Sequence, residues 1–380
     1  MKTTPLGKLA DIKTGKLDVN SGSEDGKYPF FTCASTPYKI NEYAFDTEAV
    51  LIAGNGDLNV KYYWGKFNAY QRTYVIQNKN KKILSMKYLY YFIETYMGRL
   101  RRDAIGGIIK YIKLAHLTDA NIPLPPLDDQ IRIAHLLGKV EGLIAQRKQH
   151  PQQLDDLLKS VFLEMFGDPV RNEKGWKLTT IGDLSIEVKY GTSVSAQGGQ
   201  YKYLRMNNIT QDGYWDFRSL KYIDVDDKDF EKYSLRKGDL VFNRTNSKEL
   251  VGKSAVYDRD EPVVIAGYLI RVRFKDDTNP WFVWGHLNSK LGKNRLFNLC
   301  RNIVGMANIN AQELKGIPIL KPPIELQNQF AVIVEKVEGI KSRYQQSLSD
   351  LEVLYGALSQ KAFKGELDLS RVFLTSESER

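Results

Sequence analysis

The segment Pro125–Phe166 recurs without a gap as Pro322–Phe363, at one constant offset along the chain. Pro125-Pro126 matches Pro322-Pro323, Gln130 matches Gln327, and Lys139-Val140-Glu141-Gly142 matches Lys336-Val337-Glu338-Gly339. Leu154, Leu157 and Phe166 match Leu351, Leu354 and Phe363. Self-similarity of this kind constrains architecture more than any local motif. The copied part is helical in pattern, whereas the stretches that precede the two copies differ from each other. A chain that duplicates its scaffold and diversifies what the scaffold carries is expected to read two different things at a set separation.

At 380 residues the chain exceeds one core and predicts two domains with connecting elements. Its 42% hydrophobic and 26% charged content is that of a globular protein. No stretch approaches the roughly 20 apolar residues that span a bilayer, and the N-terminus has no signal-peptide core. Cys33 and Cys300 lie far apart, which fits neither a disulfide framework nor a cysteine zinc site. The expectation is a soluble, cytoplasmic protein. The predicted boundaries are a first domain at 1–124, a helical segment at 125–168, a second domain at 169–320, a second helical segment at 321–367 and a tail at 368–380.

Charge divides along the same lines. Residues 1–124 hold 18 Lys and Arg against 11 Asp and Glu, and residues 169–320 hold 24 against 18. The copied segments and the tail are slightly acidic, although the whole chain is at +10. The positive charge therefore sits in the divergent regions, where a polyanion would be contacted. Charge that serves solubility alone stays open as the alternative.

Within the first domain, β-type runs such as Ala49–Ala53 and Arg72–Ile76 flank the turn composition Gly54-Asn55-Gly56-Asp57. Leu84–Arg102 reads as a helix with a basic end. The second domain begins similarly, Ile181-Gly182-Asp183-Leu184 echoing Leu6-Gly7-Lys8-Leu9. It has strand-like runs at Asp239–Phe242 and Val263–Ala266, and one helix is predicted from about Pro280 to Leu299. Each half then passes through a loop (Gly106–Lys110; Val304–Asn308) and a short strand to the Pro-Pro signal.

In the copied segments apolar residues alternate by four and three through Ile133, Leu137, Val140 and Ile144, then Leu154, Leu158, Val161 and Met165. Phe330, Val334 and Val337, then Tyr344, Leu348, Leu351, Tyr355 and Leu358, continue the same register in the second copy. This is a heptad seam interrupted at Arg147 and Pro151 and at Lys341. Asp128, Asp129 and Glu325 suit helix N-termini after the prolines. At 1.5 Å per residue, about 40 residues make a rod of roughly 60 Å. Pro151 is expected to kink the first helix or to divide it into two. Apolar residues off the seam, Ile131, Leu136, Leu143, Ile324 and Ile340, predict further packing partners; burial against the chain's own domains is the alternative. The two helices can pair parallel or antiparallel. Antiparallel pairing gives pseudo-twofold symmetry and two basic domains for half-sites about one helical turn (roughly 34–36 Å) or somewhat more apart.

No catalytic centre emerges. Gly252-Lys253-Ser254 resembles the end of a phosphate-binding loop, but Ser247 stands where its first glycine belongs. Glu187-Val188-Lys189 is half of a common nuclease site, and a stand-alone nuclease using Glu187 and Lys189 remains an alternative. The four histidines, His116, His135, His150 and His286, have no metal-ligand spacing. What remains is recognition. Asn243-Arg244-Thr245-Asn246, followed by Lys248 and Lys253, offers side chains that pair with adenine and guanine edges or with phosphate. Asn55, Asn59, Lys61, Tyr62, Tyr63, Tyr70, Gln71 and Arg72 form a comparable cluster in the first domain. The loop residues Lys110 and Asn308 complete the candidate DNA-binding set. For any one of these residues a solvated loop or a strand core remains the plain alternative; the clusters carry the reading as groups.

The motif order Pro-Leu-Pro-Pro-Leu-x-x-Gln (Pro123–Gln130), a long helix closing on Leu157–Asp168, and a second copy closing on Ala362–Leu367 resembles the specificity subunit of type I restriction-modification enzymes. Asn243–Asn246 with Glu249–Lys253 is similar to a motif of its target recognition domains, while Pro151 departs from an uninterrupted helix. The resemblance implies an α+β fold: two mixed α/β target recognition domains separated by a pair of long antiparallel coiled-coil helices, with a pseudo-twofold internal repeat. It further implies a non-catalytic subunit that reads a split double-stranded DNA sequence, one half-site per domain. Two methyltransferase subunits would dock on the helices, with Ile131, Leu136, Leu143 and Ile340 as candidate contacts. Those partners would carry S-adenosylmethionine and adenine-N6 chemistry, this chain holding no cofactor, and a motor-nuclease subunit is a further partner. A modification-only complex without a nuclease, and a coiled-coil scaffold that binds only protein, are the other readings.

Overall fold

The computed structural model describes residues 2–169, 171–247, 250–303, 306–372 and 374. They form two compact units, Met1–Lys148 with Gln345–Arg380, and Gln149–Tyr344. Two long helices, Leu127–Phe166 and Ile324–Lys364, each contribute one part to each unit.

Both units pack their helix parts antiparallel. In the first, Arg147 Nε donates to Ser347 Oγ at 3.1 Å, while Ile133 and Leu137 share a core with Leu358, Ala362 and Phe363. In the second, Lys341 pairs with Asp155, and further along Phe162 and Phe166 lie 5.3 and 5.6 Å from Phe330. The partner number falls as the first helix ascends, which defines the direction. None of the predicted seam positions is exposed, and Ile133, Leu137, Val140, Leu158, Phe330, Val334 and Val337 are buried.

The expected division at Pro151 is not found: the helix runs through it. An internal proline forfeits one backbone hydrogen bond and crowds the preceding turn. Side-chain contacts on both flanks offset that cost: Arg147 to Ser347 and the His150 ring 4.7 Å from the Tyr344 ring before it, and Asp155 to Lys341 after it.

The first unit carries a six-stranded sheet in the order Ala10–Thr14, Thr73–Asn78, Phe45–Ala53, Val60–Ala69, Tyr28–Phe31, Tyr38–Ile40. All pairs are antiparallel except Tyr28–Phe31 with Val60–Ala69. The second unit follows the same path with a break. One sheet runs Ser185–Tyr190, Leu269–Phe274, Leu240–Asn243, Ser254–Val256. The other runs Lys221–Ile223, Tyr201–Leu204, Val263–Ile265, Ser234–Leu235, with Tyr201–Leu204 parallel to Val263–Ile265. The long strand Val60–Ala69 is thus replaced by two short ones.

Backbone hydrogen bonds show how closely the two skeletons correspond. Gly54 N–H donates to Arg72 O at 2.8 Å, and Arg244 N–H to Tyr268 O at 3.0 Å. Ile112 N–H reaches Gly54 O, and Ile309 N–H reaches Arg244 O, both at 2.9 Å. Gly15 and Gly191 hold equivalent close approaches: a Cβ would lie 1.9 Å from Ala69 O in one and 2.2 Å from Ile265 O in the other. Only glycine fits there. The echo seen between Leu6–Leu9 and Ile181–Leu184 is a short helix in each unit.

The helix predicted over Pro280–Leu299 is two helices, Pro280–Asn288 and Lys290–Leu299. Ser289 is extended between them (φ −63°, ψ 158°), and its hydroxyl caps the second helix by accepting from Gly292 N–H at 3.0 Å. A serine N-cap is competent to restart a helix, and apolar periodicity does not register it. The corresponding helix of the first unit, Met86–Asp103, is continuous.

The repeated glutamine explains why the copied segment begins where it does. Gln130 is 0% exposed and Gln327 is 1% exposed. Gln130 Nε2 donates to Pro125 O at 2.9 Å and Ile83 O at 2.8 Å, and its Oε1 accepts from Ser85 N–H at 2.9 Å. Gln327 Nε2 donates to Pro322 O at 2.8 Å and Asp277 O at 3.4 Å, and its Oε1 accepts from Asn279 N–H at 2.8 Å. Ser85 and Asn279 are the N-caps of Met86–Asp103 and Pro280–Asn288. Removing either amide strands buried backbone groups at about 1–3 kcal/mol each. Gln130→Ala is therefore expected to lower the unfolding free energy by about 2–4 kcal/mol, read by denaturant unfolding; a loss under about 0.5 kcal/mol, the usual range for a surface substitution, contradicts this.

Candidate nucleic-acid interface

In the second unit an open cleft of about 770 Å³ lies beside the end of strand Leu240–Asn243, lined by Thr192–Ala196, Arg205, Asn207, Lys221, Arg244 and Tyr268. Arg244 leaves the strand end and stacks its guanidinium 4.7 Å from the centre of the Tyr190 ring. Arg205 Nη2 donates to Ser219 O at 3.2 Å. The Nε atoms of Arg205 and Arg244 are buried with no acceptor among the described residues. A guanidinium held flat against a ring at the edge of a cleft suits a planar acceptor such as a guanine edge. Thr245 is buried, and its Oγ1 accepts from Asn308 Nδ2 at 3.3 Å, so those two candidates meet. The half-buried Asn246 turns its Oδ1 back to the Ser247 N–H at 2.9 Å.

In the first unit the equivalent turn gathers Cys33, Asn55, Asn59 and Lys61. Cys33 Sγ donates to Asn55 Oδ1 at 2.8 Å, Asn59 Nδ2 donates to Cys33 O at 2.8 Å, and Lys61 Nζ donates to Asn59 Oδ1. Burial lowers the Lys61 ammonium below its ordinary range, against Cys33 and Asp57. Gln71, Arg72 and Lys110 are exposed nearby in the chain path, Lys110 O accepting from Gly56 N–H at 2.9 Å. The backbone match sets Arg72 against Tyr268 and Gly54 against Arg244. The two units thus place their guanidinium on opposite sides of an equivalent ladder.

Three of the predicted contacts are corrected. Asn243 is 0% exposed, so its amide meets no base edge in this arrangement. Lys253 spends its ammonium on Met206 O (3.1 Å) and Ile209 O (2.5 Å), and burial lowers its pKa; it holds a loop rather than a phosphate. Tyr62 lies on the opposite sheet face from Lys61, as strand alternation requires, donating to Glu48 Oε1 at 2.7 Å and packing on Tyr90. Lys248 lies outside the described residues. Arg205 and Asn207, Lys221, and Tyr268 were missed because they come from three separate segments that no spacing rule joins.

Glu187, half of the nuclease alternative, is committed elsewhere. Its carboxylate pairs with Lys189 at 2.6 Å, Arg271 at 2.5 Å and Arg273 at 3.2 Å, and Asp239 holds Arg273 at 2.8 Å. Burial opposes its ionisation, but hydrogen bonds from Lys189 and Arg271 outweigh that and keep its pKa below the ordinary 4.5. A carboxylate saturated by three cations is a poor metal ligand. Among the described residues no group of three or more His, Cys, Asp or Glu is placed to hold a metal ion, and no helix is long and apolar enough to cross a membrane.

On the long helices Ile131, Leu136 and Ile324 are half-buried, while Leu143 and Ile340 are exposed. Leu157, Leu163, Val332, Leu354 and the 71% exposed Val353 add to the outward apolar surface of these helices.

A family model for the type I restriction modification DNA specificity domain matches residues 1–156 and again 173–350. The type I restriction enzyme EcoDI specificity subunit of Escherichia coli is 27% identical, over 96% of this chain and 88% of its own length. The EcoKI specificity subunit of Escherichia coli strain K12 is 23% identical over 76% of this chain and 67% of its own. Among solved structures, the S subunit of a type I restriction-modification system from M. genitalium aligns with a TM-score of 0.58 at 16% identity, covering 95% of this chain and 96% of that one. A chain from a study of complex assembly and conformational transition in the type I R-M system gives 0.59 at 16% identity, covering 96% and 98%. At such identity these two establish the likeness of fold.

Because the folded Glu187 carboxyl titrates below its ordinary 4.5, its ion pairs contribute stability above that value and lose it as the pH falls through the lower folded value. The stability difference between the wild type and Glu187→Gln should therefore be largest near neutrality and shrink below about pH 4. Thermal unfolding across pH measures it, and a difference that does not vary with pH contradicts the assignment.

Proposed function

We propose, since this chain belongs to the type I restriction-modification DNA specificity family, that it reads a split double-stranded DNA target with one half-site for each unit. The observation that carries this reading is the backbone ladder that the two units share at their candidate interfaces. Gly54 and Arg244 occupy the same place in that ladder, as do Arg72 and Tyr268, yet the side chains differ completely. Equal skeletons with unequal chemistry suit unequal half-sites. Arg72, Gln71 and Lys110 are the leading contacts of the first unit, with Asn55, Asn59 and Lys61 bonded into the turn beside them. Arg244, Arg205, Lys221 and Tyr268 lead in the second, with Thr245, Asn246 and Asn308 supporting the turn.

The outward apolar residues of the long helices, including Leu143 and Ile340, are the docking surface for two methyltransferase subunits on this reading. Those partners would bring S-adenosylmethionine and methylate adenine, and a motor-nuclease subunit would convert the modification complex into a restriction enzyme. This chain would supply recognition and spacing without a chemical step of its own. The ion pairs that occupy Glu187 favour that assignment over a stand-alone nuclease.

In the assembled complex, Arg244→Ala is expected to lose about 1–3 kcal/mol of discrimination at one base pair of the second unit's half-site. Arg244→Lys should not restore it, because a point charge lacks the guanidinium fork. Binding measured against a panel of single-base variants checks this; an equal loss on every sequence makes Arg244 a phosphate contact.

A further inference from the structure

The turn between helix Met86–Asp103 and Ile112 carries two consecutive isoleucines into solvent, Ile108 at 105% and Ile109 at 62% of full exposure. It is a built turn. Ile105 N–H donates to Tyr111 O at 3.0 Å and Tyr111 N–H to Ile105 O at 2.9 Å, closing its base. Gly106 has φ +112°, and a Cβ there would lie 2.7 Å from Ile109 O, so the chain folds over itself only with glycine at that place. Gly56 N–H to Lys110 O and Ile112 N–H to Gly54 O, both at 2.9 Å, fasten the base to the Gly54–Asp57 turn of the candidate interface.

The surroundings of the tip are cationic. Arg101, Arg102, Lys110 and Lys113 are exposed before and after it. Of the nearby acids, Asp103 is paired with Arg99 at 3.3 Å, and Asp57 acts on Lys61. An apolar tip flanked along the chain by exposed cations, of which Arg101 also donates to Leu58 O at 2.8 Å, matches a DNA groove, where phosphates flank an inner surface of base edges, thymine methyls and stacked rings. A protein partner would need a complementary acidic rim, which makes DNA the better-matched occupant.

We infer that the Gly106–Lys110 turn enters a groove of the duplex and sets Ile108 against the base pairs, so that the first unit reads its half-site partly by apolar contact. This rests on the DNA-reading function proposed above. The test uses the complex assembled with its methyltransferase subunits and a duplex carrying the motif that complex methylates, with anisotropy measured over a salt series. Ile108→Ser should weaken binding about tenfold and leave the slope of log K against log salt unchanged, since no phosphate contact is lost. Ile108→Met should bind as the wild type does. Lys110→Ala should reduce the slope by about one unit. Thermal unfolding of Ile108→Ser should match the wild type, as the side chain is exposed. Unchanged affinity of Ile108→Ser overturns the inference, as does a weakened complex whose salt slope has also fallen. Failure of Ile108→Ser to assemble with the methyltransferase subunits also overturns it and marks the turn as a protein contact. If the wild-type complex shows no preference for the motif, the DNA-reading function itself fails, independently of Ile108.

Discussion

Each unit depends on one buried amide. Gln130 and Gln327 tie the start of a long helix to the N-cap of the adjoining domain's own helix, through Ser85 in one case and Asn279 in the other. Three groups that would otherwise be stranded in an apolar setting are satisfied at once: a proline carbonyl, a loop carbonyl and an N-cap N–H. A carboxylate could not donate, and a hydrocarbon could do neither. The angle at which a recognition domain leaves its helix is therefore fixed by directional bonds rather than by the looser fit of apolar surfaces. On the proposed function, that is what a reader held in register with its scaffold requires.

Hydrophobic packing then supplies bulk stability around the same point. Phe92 and Tyr88 meet Phe363 at 5.5 and 5.4 Å in the first unit. Phe282 stacks on Phe162 at 5.9 Å in the second. Polar networks next to these cores add specificity. Glu141, copied as Glu338, receives Tyr91 in one unit at 2.8 Å, whereas Glu338 in the other pairs with Lys341 at 2.8 Å. The duplicated positions have kept their place and changed their partners, as the domains they support have done.

Much of the scaffold was legible because it obeys a period. The seam residues, the prolines before each helix and the repeated glutamine are all visible in the order of the letters. Pro151 misled because its cost is local and is offset by contacts, Arg147 with Ser347 among them, between residues distant in the chain. Ser289 misled for the opposite reason, since a cap is a single residue inside an apolar pattern. The interface was legible only as neighbourhoods. Arg244, a candidate from the sequence, lines the cleft, but Arg205 and Tyr268 reach it from other segments, and the adjacent Asn243 is fully buried. Strand alternation separated Tyr62 from Lys61, a rule that a cluster read by composition ignores.

If each unit reads one half-site, as proposed, a duplicated scaffold carrying two unlike surfaces makes one demand on the DNA: its target has two unlike parts. Single-molecule sequencing of methylated adenines in the host genome, with and without this gene, measures that directly. The account predicts that one motif loses its methylation with the gene, and that this motif consists of two different specified halves separated by a fixed run of unspecified bases. Loss of a single continuous motif, or no change in adenine methylation at any motif, would contradict it.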